Sequence, residues 1–231
     1  MHIYPEIARN PLLHVGITEP LRTGRAEIIA ENPRGILTYC PAGKFHSLAA
    51  ESISAAETLL AEADAPAFIM ISNADFAPVL ERFRFDHKMR CRQAAWLRSD
   101  VPGTDPRLEI CAPDDRAFGR ILETYRMDTP EELRRRREAG EIFFARDHSG
   151  EDVGFVGLHP EGCFGLLEVF PPQRGKGYGA ALEKHIIRFC LEQGRIPYCQ
   201  VDENNAVSLN LQRSLGLEIT KETLLMCWQD S

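Results

Sequence analysis

The segment RGKGYG, residues 174–179, restricts the fold most, because it joins an apolar run to an amphipathic helix. Its three glycines let the backbone approach a ligand without obstruction by a Cβ atom. The helix that follows begins with free N–H groups and the positive end of its dipole, which favour an anion. Arg174 and Lys176 add positive charge. The segment therefore predicts a strand–loop–helix unit that binds phosphate or pyrophosphate.

Of two common phosphate-binding motifs, the first does not match this segment, and the second matches it in pattern but not in context. A P-loop requires a hydroxyl after its lysine, and none is present here. The dinucleotide pattern GxGxxG/A does fit Gly175, Gly177 and Ala180, and Asp202 follows the next predicted strand. That pattern opens a long parallel series of strands and helices, whereas only about fifty residues follow it in this chain. A Rossmann-type NAD site is therefore a less favoured alternative.

The segment SDVPGTDP, residues 99–106, divides the chain, since its Pro, Gly and Asp residues break helices and strands. It predicts an N-terminal α/β lobe over 1–104 and a second domain over 105–231. For the lobe, hydrophobic spacing predicts strands at 26–30, 35–40, 67–72 and 88–97, and helices at 48–61 and 74–83.

The second half contains two predicted hairpin turns, DHSGED and HPEG, which make three successive strands antiparallel. The strand–loop–helix–strand unit that follows is expected to add a parallel pair. The predicted fold class is α+β, with a mixed, mostly antiparallel sheet flanked by helices. Strands are predicted at 108–112, 142–146, 153–159, 164–170, 198–201 and 223–228, and helices at 114–125, 130–139, 178–193 and 206–215.

The stretch LLEVFPPQRGKGYGAALEKHI resembles the acyl-CoA-binding signature of the GNAT superfamily of N-acetyltransferases, whose core is [QR]-x-x-G-x-[GA]. The later stretch VDENNAVSLNLQRSLGLE is similar to that family's V…N-x-x-A…G-F segment. The resemblance covers roughly residues 107–228. A weaker likeness points to the two-lobed, glycine N-acyltransferase-like branch, in which residues 1–104 would be a degenerate copy of the same fold.

The resemblance implies acetyl transfer from acetyl-CoA, or another acyl-CoA, to the primary amine of a small molecule or amino acid, without a metal. Val169 and Phe170 would pair with pantetheine, and Asn205 and Ser208 would lie beside its far side. The pyrophosphate would be held by the backbone of Arg174, Gly175, Lys176, Gly177, Tyr178, Gly179 and Ala180.

The sequence departs from the family at two catalytic positions. Gln212 stands where the family often has a Tyr acid, and Cys163 stands where it often has a Glu base. The best substitute is Glu168, because a carboxylate on a buried strand holds its proton more tightly and serves better as a base. Tyr198 and Glu203 are further candidates. A non-catalytic, CoA-binding regulatory protein is therefore a second hypothesis.

Composition and charge argue against several other classes of function. The net charge of −7 argues against a general nucleic-acid binder, and no run of 18 apolar residues predicts a membrane span. The arginine run at 134–137 reads either as a solvated helix face or as a surface for an anionic partner. The chain has seven cysteines without a CxxC pair, and its N-terminus lacks a signal-peptide pattern. Both features favour a cytoplasmic protein with reduced thiols. A monomer or a homodimer is expected.

Overall fold

The computed structural model describes residues 5–230; residues 1–4 and 231, at the outer ends of the two predicted domains, lie outside it. The helices are α1 Pro5–Arg9, α2 Pro11–Arg22, α3 Ile53–Leu60, α4 Asp115–Thr124, α5 Pro130–Glu138, α6 Tyr178–Glu192 and α7 Ala206–Leu215. The strands are β1 Glu27–Asn32, β2 Gly35–Cys40, β3 Phe45–Ala50, β4 Phe68–Ile71, β5 His87–Ala95, β6 Leu108–Cys111, β7 Ile142–Asp147, β8 Asp152–Gly157, β9 Glu168–Val169, β10 Tyr198–Asp202, β11 Glu218–Ile219 and β12 Leu224–Trp228. Short 3-10 helices span Ala74–Leu80 and Pro171–Gln173.

The chain forms two compact units that are discontinuous in sequence. Unit 1 contains the residues up to Leu97, the short segment Pro160–Gly162, and the chain from Tyr198 onward. Unit 2 contains Arg98–His159 and Cys163–Pro197. The first change of unit lies close to the predicted boundary segment 99–106. The assignment of 1–104 and 105–231 as two functional domains stays a prediction.

Unit 1 is built on one sheet with the strand order β1-β2-β3-β4-β12-β5-β10, and β11 pairs with β5. All its pairs are antiparallel except β3 with β4. The C-terminal strand β12 lies between β4 and β5, with Leu225 opposite both Ile71 and Arg90. The last strands of the chain therefore complete the sheet of the first lobe.

Unit 2 contains the antiparallel sheet β6-β7-β8-β9 with α4, α5 and α6. Its apolar core joins helices and sheet through nine buried side chains: Ala117, Phe118, Ile121, Leu133, Ile142, Phe144, Phe155, Leu166 and Phe170. Complete burial of a Phe side chain such as Phe155 stabilises the fold by roughly 1.5–3 kcal/mol. The core fixes β8 and β9 beneath the helices.

The structure confirms the predicted α+β class and the antiparallel pairing of β7, β8 and β9. The predicted helix at 130–139 is present as α5, and it is capped where the Thr129 hydroxyl accepts a hydrogen bond from the Glu132 N–H at 3.2 Å. In both cases the local sequence sets the geometry, through tight turns and a capping side chain.

Three predictions about elements were wrong. Residues 48–50 belong to β3, and the helix starts only after Ser52, whose hydroxyl accepts from the Ala55 N–H. The predicted strand 164–170 reduces to β9 and an isolated bridge between Leu158 and Phe164. Strand β10 pairs antiparallel with β5, so it does not form the predicted parallel pair. Pairing with distant strands decides each of these cases, and local spacing does not report it.

The arginine run of α5 is paired within the protein. The partners are Glu131 for Arg134, Glu132 for Arg135, Glu132 and Glu141 for Arg136, and Asp115 for Arg137. Arg136 is buried. Arg134 and Arg135 pair with glutamates of α5 itself and are more than half exposed, as on a solvated helix face. Arg136 and Arg137 instead pair with Glu141 and Asp115 and so tie α5 to its surroundings.

Candidate active site

Strand β9 lies at the end of the strand order of the unit 2 sheet, so one of its edges has no strand partner there. The N–H of Phe170 donates to the Val153 carbonyl of β8 at 2.9 Å. The Val169 carbonyl accepts from the Arg174 Nε at 2.9 Å. Backbone groups on an unpaired edge are suited to add an extended ligand as a further strand.

The loop after β9 turns directly into α6. Gly175 and Gly177 have φ values of +77° and +82°, a left-handed region that residues with a side chain rarely adopt. Gly177 is the N-cap of α6 and makes no side-chain capping bond to the first N–H groups of the helix. Residues 174–177 are exposed. This loop therefore has the exposed backbone and the helix N-terminus that an anion site requires, and its binding of pyrophosphate stays a prediction.

A basic side chain from the start of unit 2 holds this loop. Arg107 donates through Nη1 to the Lys176 carbonyl at 3.2 Å and lies over the Tyr178 ring at 5.1 Å. Its guanidinium also forms two hydrogen bonds with Asp105, at 2.6 and 2.9 Å. These bonds hold the pKa of Asp105 at about 2. Sequence analysis missed Arg107 because it lies far along the chain from the glycine loop.

Both cations of the loop have partners. The Lys176 Nζ donates to the Gln173 Oε1 at 2.7 Å. The Arg174 Nη2 lies 3.9 Å from a carboxylate oxygen of Glu168, the predicted base. The Glu168 side chain is 24% exposed, which is more than the buried strand position predicted for it.

A second group of polar residues is linked by electrostatic contacts near the turn between β8 and β9. We call it the hairpin cluster; its members are Tyr125, Asp128, His159, Cys163 and Glu168. The His159 Nδ1 lies 3.7 Å from the Asp128 Oδ2. The His159 N–H donates to the Cys163 carbonyl at 2.8 Å, which closes the turn. The phenol of Tyr125 interacts electrostatically with Asp128, Cys163 and Glu168.

Burial dominates the electrostatics of the cluster. It raises the pKa of Tyr125 well above its ordinary value, and the nearby acidic groups raise it further. Cys163 is buried, and its Sγ donates to the Phe164 carbonyl at 3.4 Å. The His159 side chain is 27% exposed. No local pattern pointed to this residue, because the α4–α5 loop brings Asp128 to the turn from elsewhere in the chain.

The other predicted site residues belong to unit 1. Tyr198 is fully buried, and its hydroxyl donates to the Glu161 carbonyl at 3.0 Å. Glu203 forms an ion pair with Arg90 at 2.7 Å. Asn205 is the N-cap of α7 and accepts from the Ser208 N–H at 3.0 Å. Each of these side chains therefore has a structural contact, and the catalytic roles of Tyr198 and Glu203 stay predictions.

Within residues 5–230, no helix is both long enough and apolar enough to cross a bilayer. The same part of the chain holds no group of three or more His, Cys, Asp or Glu side chains placed to bind a metal ion.

The region that contains the glycine loop and the hairpin cluster matches the model of a known protein family. A model of the Acetyltransferase (GNAT) family matches residues 109–217. This region belongs to the GNAT family. The match includes β9, the loop and α6, so the resemblance inferred from the glycine segment is confirmed for the C-terminal half. The two-lobed branch stays a prediction.

The chain is similar to two L-methionine sulfoximine/L-methionine sulfone acetyltransferases, from Pseudomonas aeruginosa PAO1 and Pseudomonas paraeruginosa PA7. Each is 34% identical over 95 residues, which are 37% of this chain and 55% of the relative. The chain thus spans about half the length of the curated relatives that it matches.

Solved structures extend the likeness of fold beyond the GNAT region. A Drosophila protein covers 97% of this chain and 85% of its own, with a TM-score of 0.66 and 12% identity. A GCN5-related N-acetyltransferase-like protein from Streptococcus suis covers 98% of both chains, with a TM-score of 0.56 and 17% identity. A GCN5-related N-acetyltransferase from Kribbella flavida covers 95% and 96%, with a TM-score of 0.56 and 12% identity. At these identities the likeness concerns the fold alone.

Proposed function

We propose that this protein is an acyl-CoA-dependent N-acyltransferase that moves an acetyl group from acetyl-CoA to the primary amine of a small molecule or amino acid. One observation carries the proposal: within the GNAT region, an unpaired strand edge at Val169 leads directly into the exposed loop at the N-terminus of α6. A pantetheine arm followed by a pyrophosphate needs these two features in this order.

In this proposal the pyrophosphate binds to backbone N–H groups of residues 174–180, which Arg107 supports from behind. Pantetheine pairs with β9 at Val169 and Phe170. The contributions of Asn205 and Ser208 are carried over from the family resemblance. The reaction is direct: the amine lone pair attacks the thioester carbonyl, the C–N bond forms, and the C–S bond breaks to release CoA. Positioning supplies most of the rate enhancement.

The acceptor is proposed to be a small molecule. The Pseudomonas relatives are named for L-methionine sulfoximine and L-methionine sulfone, so both compounds are the first acceptors to try. We further propose a cytoplasmic protein that acts without a nucleic acid, a membrane or a metal. Seven free cysteines and the net charge of −7 support this proposal.

Ligand-dependent unfolding tests the co-substrate. Thermal unfolding is measured with acetyl-CoA, CoA, NADH and ATP, each at roughly one hundred times a plausible Kd, where binding to the folded state adds about 2.7 kcal/mol. A shift with the CoA compounds alone supports the proposal. A shift with NADH alone would support the dinucleotide alternative and overturn it.

Turnover separates an enzyme from a CoA-binding regulator. Release of the CoA thiol is measured with the two methionine derivatives, the common amino acids and a panel of simple amines. Turnover above hydrolysis with any acceptor supports the transferase. CoA binding without turnover on the whole panel would favour the regulator, which Gln212, buried at the family's usual Tyr position, makes a specific alternative.

A further inference from the structure

We propose that His159, paired with Asp128, is the base that takes the proton from the acceptor ammonium. The proposal rests on the N-acyltransferase function above and assigns its proton chemistry to a residue at which the sequence resemblance places no role.

Asp128 provides the first observation. Its Oδ2 is buried and makes no hydrogen bond among the described residues, although the side chain is 20% exposed as a whole. A buried carboxylate oxygen without a donor is costly, so such an atom indicates a missing positive partner. The nearest basic group is the His159 Nδ1, at 3.7 Å. A proton on His159 would supply that partner.

Gly165 provides the second observation. A Cβ atom at this position would lie 2.7 Å from the His159 Nε2 and 3.1 Å from its Cδ2. Gly165 is exposed. The Nε2 atom therefore lies over a stretch of bare, accessible backbone, while the Nδ1 atom faces the carboxylate. The ring therefore has one nitrogen at an orienting carboxylate and the other at an exposed backbone position, and a general base needs both features.

The other members of the hairpin cluster are less suited to accept the proton of the acceptor ammonium. Asp128 lies 3.7 Å from the His159 ring, and Tyr125 interacts electrostatically with Asp128, Cys163 and Glu168. Tyr125 keeps its proton because burial raises its pKa, so it donates and does not accept at neutral pH. Cys163 is buried with its Sγ at a backbone carbonyl. Glu168 lies beside the Arg174 guanidinium.

The proton balance is simple. The ammonium of the acceptor gives one proton to the His159 Nε2, and Asp128 stabilises the imidazolium that forms. The free amine then attacks the thioester carbonyl carbon, and the tetrahedral intermediate collapses with cleavage of the C–S bond. The second proton of the nitrogen goes to the departing CoA thiolate. His159 returns its proton to water, so one ammonium and one thioester give one amide, one thiol and one proton.

The first test compares pH profiles of kcat/KM for the amine in the full-length protein. His159→Gln is expected to lower kcat by on the order of 100-fold, with little change in the KM for acetyl-CoA, and to lose the acid limb of the wild-type profile. His148→Gln is the matched control, because His148 is an exposed histidine of the same unit. Asp128→Asn is expected to lower kcat/KM for the amine with little change in the KM for acetyl-CoA, because the ring loses the carboxylate that orients it.

Two outcomes would overturn the proposal and are distinguishable from each other. If wild-type protein turns over but His159→Gln keeps its kcat and acid limb while Glu168→Gln loses them, the base is Glu168. If wild-type protein binds acetyl-CoA and acetylates nothing, the transferase function fails, and the assignment of His159 fails with it.

Gly165→Ala gives a second test in which neither His159 nor Asp128 is replaced. The added methyl group forces the His159 ring to move, while the backbone at this position does not need glycine's left-handed φ. We expect a fall in kcat with unchanged affinity for CoA. This variant decides the matter if His159→Gln does not fold, and wild-type kcat in it would contradict the proposal.

Discussion

The Nε of Arg174 donates to the carbonyl oxygen of Val169 at 2.9 Å, so the first cation of the loop is bound to the edge strand that precedes it. The same guanidinium lies 3.9 Å from the Glu168 carboxylate and is 62% exposed. Arg174 therefore occupies an acceptor that pantetheine would use, while its charge lies where a pyrophosphate would bind. The two effects act in opposite directions on CoA affinity.

Arg174→Ala is expected to weaken acetyl-CoA binding, because an exposed cation beside a phosphate contributes by charge attraction. Acetyl-pantetheine has no pyrophosphate, and it is expected to bind the variant at least as well as the wild type, since the Val169 carbonyl is free. Isothermal titration with both compounds at two salt concentrations measures the difference. An equal loss for the two compounds would show that Arg174 does not act through the pyrophosphate.

Gly177→Asp tests the loop itself. The substitution puts a negative charge at the N-terminus of α6, where the proposed pyrophosphate binds, and we expect the Kd for CoA to rise at least tenfold, about 1.4 kcal/mol. Gly194→Asp is the matched control at the other end of the helix, because Gly194 also has a positive φ, +65°, and open space around it. Both variants should lose some stability, but only the first should lose CoA affinity. Equal affinities in both would remove the loop from the CoA site.

The sequence predicted the parts of this protein whose causes are local. Helix α7 was predicted with its observed bounds, since Asn205 caps its start and Gly216, with a φ of +97°, ends it. The glycine loop was found for the same reason. The order of strands depends on pairs such as Leu225 with Ile71, and no local pattern reports that pairing. The pair of His159 and Asp128 was missed because a loop between two helices brings them together.

The thiols give a prediction that does not depend on function. Cys111 is exposed, whereas the other six cysteines are buried. Burial raises the pKa of Cys91 to about 12 and also raises the pKa of Cys40 and Cys227, so little thiolate forms there. At pH 8 the native protein should therefore react rapidly with one equivalent of a disulfide reagent, and Cys111→Ser should abolish that phase. A second rapid equivalent would show that a buried thiol becomes accessible.

His185, a half-buried histidine of α6, is expected to make stability depend on pH. Burial lowers the pKa of His185 below its ordinary 6.5, and the ring packs edge-on against Phe143 with 4.6 Å between centroids. The unfolded chain then binds more protons, so the contribution of His185 to stability is present above pH 6.5 and is lost as the pH falls through the lowered folded-state value. His185→Phe should flatten this slope in chemical unfolding between pH 7 and 5, whereas His148→Phe, on the surface, should not. An unchanged slope in His185→Phe would contradict the assignment.

Asp152 is the buried anion of a three-arginine network in unit 2, so its replacement is expected to destabilise the protein. Its carboxylate, only 3% exposed, accepts from Arg120 at 2.6 Å and from Arg116 and Arg146 at 3.2 Å. Arg120 also lies over the Phe170 ring at 3.9 Å, so the network reaches the residue after β9. Asp152→Asn keeps the shape but removes the buried negative charge that the three arginines share, while Arg146 keeps a second partner in Asp114 at 2.9 Å. We expect it to lower the free energy of unfolding by roughly 2–4 kcal/mol, since three cations are left around a neutral amide.

The control for Asp152 is Glu131→Gln, which breaks an exposed pair with Arg134 on α5 and should cost less than about 1 kcal/mol. Urea unfolding followed by far-ultraviolet circular dichroism measures both variants, with an unchanged m-value as the sign that the same surface unfolds. Because Phe170 lies beside the proposed pantetheine edge, Asp152→Asn should also weaken CoA binding modestly. If Asp152→Asn loses no more free energy of unfolding than Glu131→Gln, the prediction is wrong. Water would then solvate the exposed ends of the arginines and compensate for the lost carboxylate.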